Sequence, residues 1–427
     1  MRLYYGGIGI MRKLEQFFEQ LKQKKVAFIG TGVTNNDIMR LFLKKGISIT
    51  LLDQKPAEKL GAIYTELQQA GVQFELGPTY LDHLERYDVV FRAPGMYYNH
   101  PKLQEARQNG VVITTEMEVF LEFCPCRCYA VTGSDGKTTT TTLISEFFQE
   151  SGVTVHKGGN IGRALLPIIE TIQENDVAVV ELSSFQLLSM RQSPDVAVIT
   201  NIAPNHLDVH GTMEEYIAAK TNIIAHQNAF SRTVLNLDNA LTKNLSSMVR
   251  GTLFYFSRTQ QPKWGTMLRE DGMLCMCCNG VITPVIHKDD IRIPGMHNVE
   301  NYLAAIAAVW GEVPVSAIQN VARQFGGVEH RIEFVRERNG VKWYNDSVSS
   351  SPTRTIAGLN SFTEPIVLIA GGYDKNLDYT PLAKPILEHV KQLILFGSTK
   401  DKILNAVTKE KTNENIEIHV LNTLEEV

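Results

Sequence analysis

The chain has 427 residues, enough for roughly two to four domains, and its 44% hydrophobic and 21% charged content is typical of globular proteins. A net charge of −4 gives no overall positive field that would favour nucleic acid or an anionic membrane. No apolar run reaches the roughly 18 residues of a membrane span, and the first residues lack the apolar core and cleavage site of a signal peptide.

The chain opens with a short segment, residues 1–10, that looks unlike the sequence after it. Met11 begins a predicted amphipathic helix and is the alternative start of the protein. Residues 24–55 then show an apolar run, a helical pattern and a second apolar run. This order predicts a strand–helix–strand unit with a right-handed crossover.

The turn of this unit, residues 30–35, nearly matches the G-x-G-x-x-G pattern, but Asn35 stands in place of the last glycine. Asp53 closes the second strand, about where dinucleotide folds place a ribose-binding acid. A plain α/β turn and a nucleotide site are equally compatible with this pattern. A further predicted strand ends in a Pro-Gly turn at Pro94 and Gly95.

A second α/β segment begins near residue 127 with a strand, a glycine turn and a helix. Gly136, Lys137 and Thr138 match the end of G-x-x-x-x-G-K-[ST], but Val131 stands where that rule needs glycine. Backbone N–H groups at such a helix start favour anions, Lys137 adds charge for phosphates, and Thr138 offers a hydroxyl to Mg²⁺. We expect the hydroxyls of the threonine run to cap the helix. A chance Gly-Lys-Thr is the alternative.

Three ionisable residues follow in this segment. Glu181 ends an apolar strand, where α/β enzymes place ligand-binding groups, and is a candidate Mg²⁺ ligand beside Thr138 or a surface carboxylate. His206 follows the next strand and is a candidate for a second metal or for orienting a substrate. Lys220 ends the stretch MEEYIAAK, and its sequence context alone favours a solvated lysine.

Six cysteines form two clusters with C-x-C spacing, one at residues 124–128 and one at 275–278. Without a secretion signal, disulfides are not expected. Zinc sites favour C-x-x-C spacing, so free thiols on strands are the favoured interpretation and a metal site is the alternative.

The third segment begins near Val328. It shows a predicted hairpin with an Asn-Gly turn at residues 339–340, then three apolar strands separated by helices. Candidate nucleotide contacts are His330–Arg331 and Asn345–Ser347, because ligand sites concentrate at domain junctions. The sequence therefore predicts an α/β protein of three domains.

The phosphate loop and seven further stretches, which follow one another in family order, make the chain similar to the Mur ligases, ATP-dependent enzymes that add amino acids to a peptidoglycan precursor. The short loop T-G-x-x-G-K-[ST] of that family matches Thr132 to Thr138. Over about residues 11–427 the chain resembles the branch that adds D-glutamate, and ELSSFQL is the most discriminating stretch. The other stretches are GGNIG at 158–162, NHLDVHGTMEEYIAAK at 205–220, HNVEN at 297–301, HR at 330–331, NDS at 345–347 and GGYDK at 371–375.

The resemblance implies a division into three domains. Residues 1–118 would form a Rossmann-like domain that binds the UDP substrate, 119–327 a central P-loop ATPase-like domain with a mostly parallel sheet, and 328–427 an incomplete Rossmann-like domain that binds the amino acid. Relatives continue beyond the sequence "NTLEEV", and a capping box at Thr423–Glu426 predicts a helix start there. We therefore expect a C-terminally truncated chain.

The resemblance also assigns site residues. Thr138 and Glu181 would bind a first Mg²⁺, and His206 and Lys220 a second, with Lys220 carbamylated by CO₂. Lys137, His206, Lys220 and Glu181 would be catalytic. ATP would contact Gly133, Ser134, Asp135, Gly136, Lys137, Thr138, Thr139, Asn298, Asn301, Arg331 and Asp346. The UDP substrate would contact Val33, Thr34, Asp53, Gln54, Lys55, Gly95, Asn160 and His206.

For the amino acid, the resemblance implies contacts from Lys375 and Ser350. Many relatives have a lysine that contacts glutamate directly after the NDS stretch, but Val348 stands there in this chain. That contact must be replaced or absent.

The implied reaction transfers the ATP γ-phosphate to the L-alanine carboxylate of UDP-N-acetylmuramoyl-L-alanine, and the amine of D-glutamate then displaces phosphate. The implied setting is a cytoplasmic monomer that acts on small molecules, with no nucleic-acid or membrane partner. Three alternatives remain open: a truncated, non-catalytic nucleotide-binding remnant, a folylpolyglutamate-type ligase, and an unrelated P-loop kinase.

Overall fold

The computed structural model describes residues 7–349, 351–374, 377–410 and 416–427. The chain separates into two compact units. The first contains the residues up to Ile286 together with Asn301–Val321, and the second contains His287–Glu300 with Ala322–Val427. None of the helices in these ranges is long and apolar enough to cross a bilayer.

The first unit begins with a five-stranded parallel sheet of order β3-β2-β1-β4-β5. Strands β1 and β2 are buried along their whole length, because helices cover both faces of a parallel sheet. The predicted strand–helix–strand unit is confirmed as β1, α2 and β2. The strands are β1 (Val26–Ile29), β2 (Ile49–Asp53), β3 (Gln73–Leu76), β4 (Val89–Arg92) and β5 (Val112–Thr114), and the helices are α1 (Gly7–Leu21), α2 (Val33–Lys44), α3 (Ala57–Leu60), α4 (Ala62–Gln69), α5 (Pro101–Gln108) and α6 (Glu116–Phe123).

The second sheet has nine strands in the order β14-β13-β12-β11-β10-β9-β6-β8-β7. Its strands run parallel from β12 to β7, and β13 pairs antiparallel with β12. The strands are β6 (Arg127–Thr132), β7 (Val155–Gly159), β8 (Val177–Glu181), β9 (Val196–Ile199), β10 (Arg232–Asn236), β11 (Thr252–Ser257), β12 (Trp264–Leu268), β13 (Met273–Cys278) and β14 (Val281–His287).

The helices of this region are α7 (Lys137–Glu150), α8 (Ser184–Leu187), α9 (Leu207–His210), α10 (Met213–Ala225), α11 (Ala240–Asn244), α12 (Met296–Val309) and α13 (Val315–Gln324). One continuous hydrophobic core, from Leu14 to Leu245, joins the two sheets of the first unit. Since β6 lies between β8 and β9, the carboxyl ends of these three strands meet at one edge, where the predicted phosphate loop and Glu181 stand.

The second unit contains a hairpin and a three-stranded parallel sheet of order β17-β18-β19. Asn339 and Gly340 both have positive φ, 54° and 75°, which confirms the predicted Asn-Gly turn. Helices α14, α15 and α16 pack a separate core against the sheet. The elements are β15 (Glu333–Arg338), β16 (Val341–Asn345), α14 (Pro352–Leu359), β17 (Ile366–Gly371), α15 (Ala383–His389), β18 (Val390–Phe396), α16 (Lys400–Glu410) and β19 (Glu417–Val420).

The predicted α/β class with mostly parallel sheets is confirmed, but two local expectations are wrong. The threonine hydroxyls do not cap α7: its N-cap is Gly136, without a side-chain bond, and Thr139 to Thr142 are buried within the helix. Lys220 does not end its helix, because α10 continues to Ala225, and its side chain is buried rather than solvated. All six cysteines are free thiols, and four lie on β6 or β13.

Candidate active site

The loop between β6 and α7 turns on two glycines that no other residue could replace without displacing neighbours. Gly133 has φ 151°, and a Cβ there would lie 1.9 Å from Thr200 Oγ1. Gly136 has φ 77°, and its Cβ would lie 2.3 Å from Asn301 Oδ1. The loop therefore depends on both glycines, and Gly136 leads directly into the start of α7, where backbone N–H groups favour anions.

The residues after β9 hold this loop in place. The backbone N–H of Ser134 donates to Asn201 O at 2.9 Å, and that of Asp135 donates to Asn201 Oδ1 at 2.9 Å. Thr200 Oγ1 donates to Asp135 O at 2.5 Å. Thr200 and Asn201 were not recognised from the sequence, although they stand at the end of a strand beside β6.

Two lysine side chains converge on one backbone carbonyl of the loop. Lys137 Nζ donates to Gly133 O at 3.1 Å and to Ser134 O at 3.0 Å, and Lys220 Nζ donates to Gly133 O at 2.7 Å. Lys220 is only 1% exposed. Burial lowers the pKa of Lys220 well below 10.5, and the charge of Lys137 lowers it further, while Asp135 and Glu181 partly oppose the shift. The environment thus favours the neutral amine of Lys220.

Glu181 lies at the end of β8 with both carboxylate oxygens in use. Thr138 Oγ1 donates to its Oε2 at 2.7 Å, and Asn160 Nδ2 donates to its Oε1 at 2.8 Å. The structure therefore brings together the two residues predicted to bind a first Mg²⁺. Gly159, with φ 95°, lets the backbone of β7 lie close to that of Glu181, because a Cβ there would be 2.2 Å from Glu181 O.

The ELSSFQL stretch continues from Glu181 into a tight helical turn. Ser183 Oγ accepts from Gln186 N at 3.3 Å, and Gln186 Oε1 accepts from Ser183 N at 3.0 Å, which forms a capping box at the start of α8. The S-x-x-Q spacing is visible in the sequence but was not used to predict this turn.

Two buried aromatic residues, Tyr216 and His210, were not predicted from the sequence, and their ring centres lie 5.2 Å apart. Tyr216 OH lies 3.0 Å from Ser134 Oγ, and its ring centre lies 4.7 Å from Lys220 Nζ. His210 stacks on Phe185 and lies 2.9 Å from Ser184 Oγ through Nε2. Tyr216 stands four residues before Lys220, a spacing that places both on one face of α10.

His206 lies just before α9 with a left-handed backbone, φ 55°. Its side chain is exposed, and its ring centre lies 5.3 Å from that of Phe185. Among the described ranges, no three His, Cys, Asp or Glu residues come close enough together to hold a metal. The Thr138–Glu181 pair offers a hydroxyl and a carboxylate, which are hard oxygen donors that suit Mg²⁺.

The turn after β1 is fixed by its own polar side chains. Asp53 Oδ2 accepts from Thr31 N at 3.0 Å and from Thr31 Oγ1 at 3.1 Å, and Oδ1 accepts from Lys55 N at 2.8 Å. Asn35 Nδ2 donates to Ile29 O at 2.9 Å and Gly30 O at 3.0 Å. Asn35 thus stabilises the turn where the pattern has a third glycine.

Five of the other residues predicted to bind UDP lie along the same carboxyl edge, because β4, β1 and β2 are neighbours, whereas Asn160 and His206 follow β7 and β9 of the second sheet. Thr34 lies in the first turn of α2, Gln54 and Lys55 are exposed after β2, and Gly95 is exposed after β4. Val33 begins α2, but its side chain is outside the described part of the structure.

The predicted ATP contacts in the later part of the chain divide between the two units. In the first, Asn301 is buried and accepts from Thr140 Oγ1 at 3.3 Å. In the second, Asn298 Nδ2 donates to Pro294 O at 2.6 Å. Asn301 thus contacts a neighbouring helix, and Asn298 contacts the segment just before its own helix.

Also in the second unit, Asp346 Oδ1 accepts from Ile332 N at 3.1 Å, and burial raises the pKa of Asp346. Arg331 lies between His330 and Ile332, which have positive φ of 63° and 43°. Lys375 and Ser350 lie outside the described residues.

Comparison with known proteins gives a consistent picture. A family model of the Mur ligase middle domain matches residues 131–309, and one of the Mur ligase MurD-like N-terminal domain matches residues 24–115. The chain is 49% identical over 398 residues to UDP-N-acetylmuramoylalanine–D-glutamate ligase of Acetivibrio thermocellus, covering 93% of this chain and 85% of that protein. It is 46% identical over 418 residues to the ligase of the same name from Clostridium perfringens, covering 97% and 90%.

Solved structures share the fold at low identity. The UDP-N-acetylmuramate-alanine ligase MurC of Thermotoga maritima aligns with a TM-score of 0.59 at 18% identity, over 94% of this chain and 91% of that one. MurF of Acinetobacter baumannii aligns with a TM-score of 0.57 at 14% identity, over 96% and 90%.

Proposed function

Because the chain belongs to the Mur ligase family, we propose that it joins D-glutamate to UDP-N-acetylmuramoyl-L-alanine at the expense of ATP in the synthesis of peptidoglycan precursors. The names of the relatives support this choice of substrates. One observation carries the chemistry: Thr138 and Glu181 meet at 2.7 Å beside the loop where two lysines converge on Gly133 O.

We propose that three parts of the chain bind the three substrates. Residues 1–118 bind the UDP substrate, 119–327 bind ATP, and 328–427 bind the amino acid. The carboxyl edge of the first sheet, with Asp53 and Gly95, supplies the uridine site, and Asn160 lies nearer the muramoyl end. Gly133 to Thr139 hold the phosphates, while Asn298, Asn301, Arg331 and Asp346 contact the adenosine. Lys375 and Ser350 contact D-glutamate.

The proposed reaction has two steps. An oxygen of the L-alanine carboxylate attacks the γ-phosphorus of ATP, which gives an acyl phosphate and ADP. The neutral amine of D-glutamate then attacks the acyl carbon, phosphate leaves with the bonding electrons, and the amine loses a proton. Lys137 stabilises negative charge on the transferring phosphoryl group. His206 is a candidate to accept the proton.

Thr138 and Glu181 would hold one Mg²⁺, since a hydroxyl and a carboxylate are the hard oxygen donors this ion prefers. When bound, it would neutralise charge on the phosphate oxygens. We propose a second ion held by His206 and Lys220, the latter as a carbamate. A neutral lysine amine adds to CO₂ and releases a proton, and the lowered pKa of Lys220 favours that neutral form.

We further propose that the enzyme acts as a cytoplasmic monomer on small molecules, without a nucleic-acid or membrane partner. All three proposed substrates are water-soluble. A net charge of −4 favours binding neither to nucleic acid nor to an anionic membrane. Light scattering on the purified chain would give its mass in solution. A dimer would contradict this part of the proposal.

The test of the function is phosphate release by the purified chain with ATP, Mg²⁺ and UDP-N-acetylmuramoyl-L-alanine. We expect release that depends on D-glutamate and a new amide product that mass spectrometry detects. L-glutamate is the stereochemical control, and Glu181→Gln is the low-activity control. ATP hydrolysis that is indifferent to D-glutamate, with no amide formed, would contradict the proposal.

A further inference from the structure

Arg92, the last residue of β4, is a buried cation outside the phosphate site. It is 1% exposed, and burial lowers its pKa to about 10, so the side chain remains charged at neutral pH. Burying a guanidinium is costly unless its hydrogen bonds are satisfied. The identity of its partners therefore indicates what the residue does.

The guanidinium connects two loops that follow strands of different sheets. Arg92 Nη1 donates to Met96 O at 2.8 Å, in the loop that contains Gly95. Arg92 Nη2 donates to Phe185 O at 2.8 Å and to Ser189 Oγ at 2.9 Å. Both acceptors of Nη2 belong to the segment that begins directly after Glu181.

The acceptors are all neutral, two backbone carbonyls and one hydroxyl, and Arg92 Nε has no acceptor among the described residues. A well-packed apolar side chain would serve stability at least as well as a buried charge with such partners. The planar fork of arginine, however, fixes the relative position of two backbone segments, which an apolar contact does with less directional control.

We propose that Arg92 is a positioning residue that holds the Gly95 loop of the UDP site in register with the Phe185–Ser189 segment beside Glu181. The inference rests on the proposed function of these two segments. It assigns a role to a residue that contacts neither phosphate nor metal. The UDP end of the substrate would thereby be aligned with Glu181, beside which the phosphoryl group of ATP is transferred to the other end of the substrate.

This role predicts a selective effect on binding. Loosening the connection should weaken binding of UDP, because the Gly95 loop would no longer be held in one position, and should leave the binding of ATP to the β6–α7 loop unchanged. Substitution of a residue that only stabilises the fold would instead lower the melting temperature. It would change the affinities for UDP and ATP alike, or change neither.

The experiment compares Arg92→Lys and Ser189→Ala with wild type, using titration calorimetry with UDP and, separately, with Mg·ATP. Loss of one to two hydrogen bonds predicts UDP affinity about 3-fold lower for Ser189→Ala and about 10-fold lower for Arg92→Lys. ATP affinity should stay within about twofold, and KM for the UDP substrate should rise while kcat changes little. Ser189→Ala removes only one hydroxyl group, so it still tests the proposal if Arg92→Lys does not fold.

The matched control is Arg191→Gln. Arg191 Nε donates to Glu118 Oε1 at 2.6 Å and also joins a segment after β8 to one after β5, but its side chain is 60% exposed. We expect both affinities to stay at the wild-type values even though the melting temperature should fall, because Arg191 donates to the buried Glu118 and to Ile113 O rather than to the Gly95 loop.

Unchanged UDP affinity in a folded Arg92→Lys or Ser189→Ala protein would overturn the positioning role, even if the melting temperature fell. Equal weakening of UDP and ATP would overturn it as well. Failure of the wild-type chain to bind UDP is a different result, which would overturn the proposed function and this inference with it.

Discussion

Two glycine turns in this chain follow the same strand–turn–helix plan, one after β1 and one after β6, but they use their polar residues differently. At the first turn, the Asp53 carboxylate and the Asn35 amide bind the backbone of the turn itself. At the second, Lys137 and Lys220 converge on Gly133 O, while Thr138 contacts Glu181.

The difference agrees with the proposal that the two loops bind different ligands. The first turn contributes a rigid backbone whose one buried charge is satisfied internally, which suits a part of a substrate that is held but does not react. The second concentrates charges of both signs at the start of a fourteen-residue helix, which suits the proposed role at a phosphate group whose charge changes during the reaction. The predictions below separate these two roles.

The largest effect should come from Lys137→Met. Removing the cation that faces the transferring phosphate should lower kcat by on the order of 10³-fold, because the stabilisation is greatest in the transition state. The measurement is the D-glutamate-dependent rate of phosphate release. Lys59→Met, an exposed position on α3, is the control and should keep the wild-type rate. A Lys137→Met enzyme within threefold of wild type would refute the assignment of the second turn.

Glu181→Gln should lower activity by roughly 10²-fold and raise the Mg²⁺ concentration required for half-maximal rate, since an amide oxygen binds this ion more weakly than a carboxylate. A titration of the rate with Mg²⁺ after chelation with EDTA gives both values. Glu170→Gln changes an exposed carboxylate in the same unit and should change neither. An unaltered Mg²⁺ requirement in Glu181→Gln would exclude it as a ligand.

Asp53→Asn tests the first turn and should have a smaller effect. It weakens three hydrogen bonds to one carboxylate, so we expect a loss of about 2 kcal/mol in the free energy of unfolding and a higher KM for the UDP substrate, with kcat nearly unchanged. Urea unfolding and steady-state kinetics provide these quantities. Asp82→Asn, at an exposed pair with Lys102, is the matched control. A fall in kcat with KM unchanged would contradict the assignment.

The smallest effect concerns the pH dependence of stability. Between the lowered pKa of Lys220 and 10.5, the unfolded chain binds a proton that the folded chain does not, so the free energy of unfolding should rise with pH. The contribution of one such group is at most about 1.4 kcal/mol per pH unit. Urea unfolding in CO₂-free buffer should show a steeper rise for wild type than for Lys220→Met. Identical slopes would mean that Lys220 is charged in the folded protein.

The sequence predicted what depends on local pattern. The strands, the short phosphate loop and the position of Glu181 at a strand end all follow from apolar runs and turn residues that lie close together in the chain. Lys220 was misjudged from sequence alone because helical periodicity did not reveal which face of α10 is buried. The role of Arg92 was not predicted, since it bonds residues more than ninety positions away.

The most direct test of the difference between the two turns is calorimetric titration of wild type, Lys137→Met and Asp53→Asn with Mg·ATP and with UDP. We expect Lys137→Met to weaken ATP binding and leave UDP binding intact, and Asp53→Asn to do the reverse. If Lys137→Met weakened UDP as much as ATP, or Asp53→Asn weakened ATP alone, the assignment of one nucleotide to each turn would be wrong.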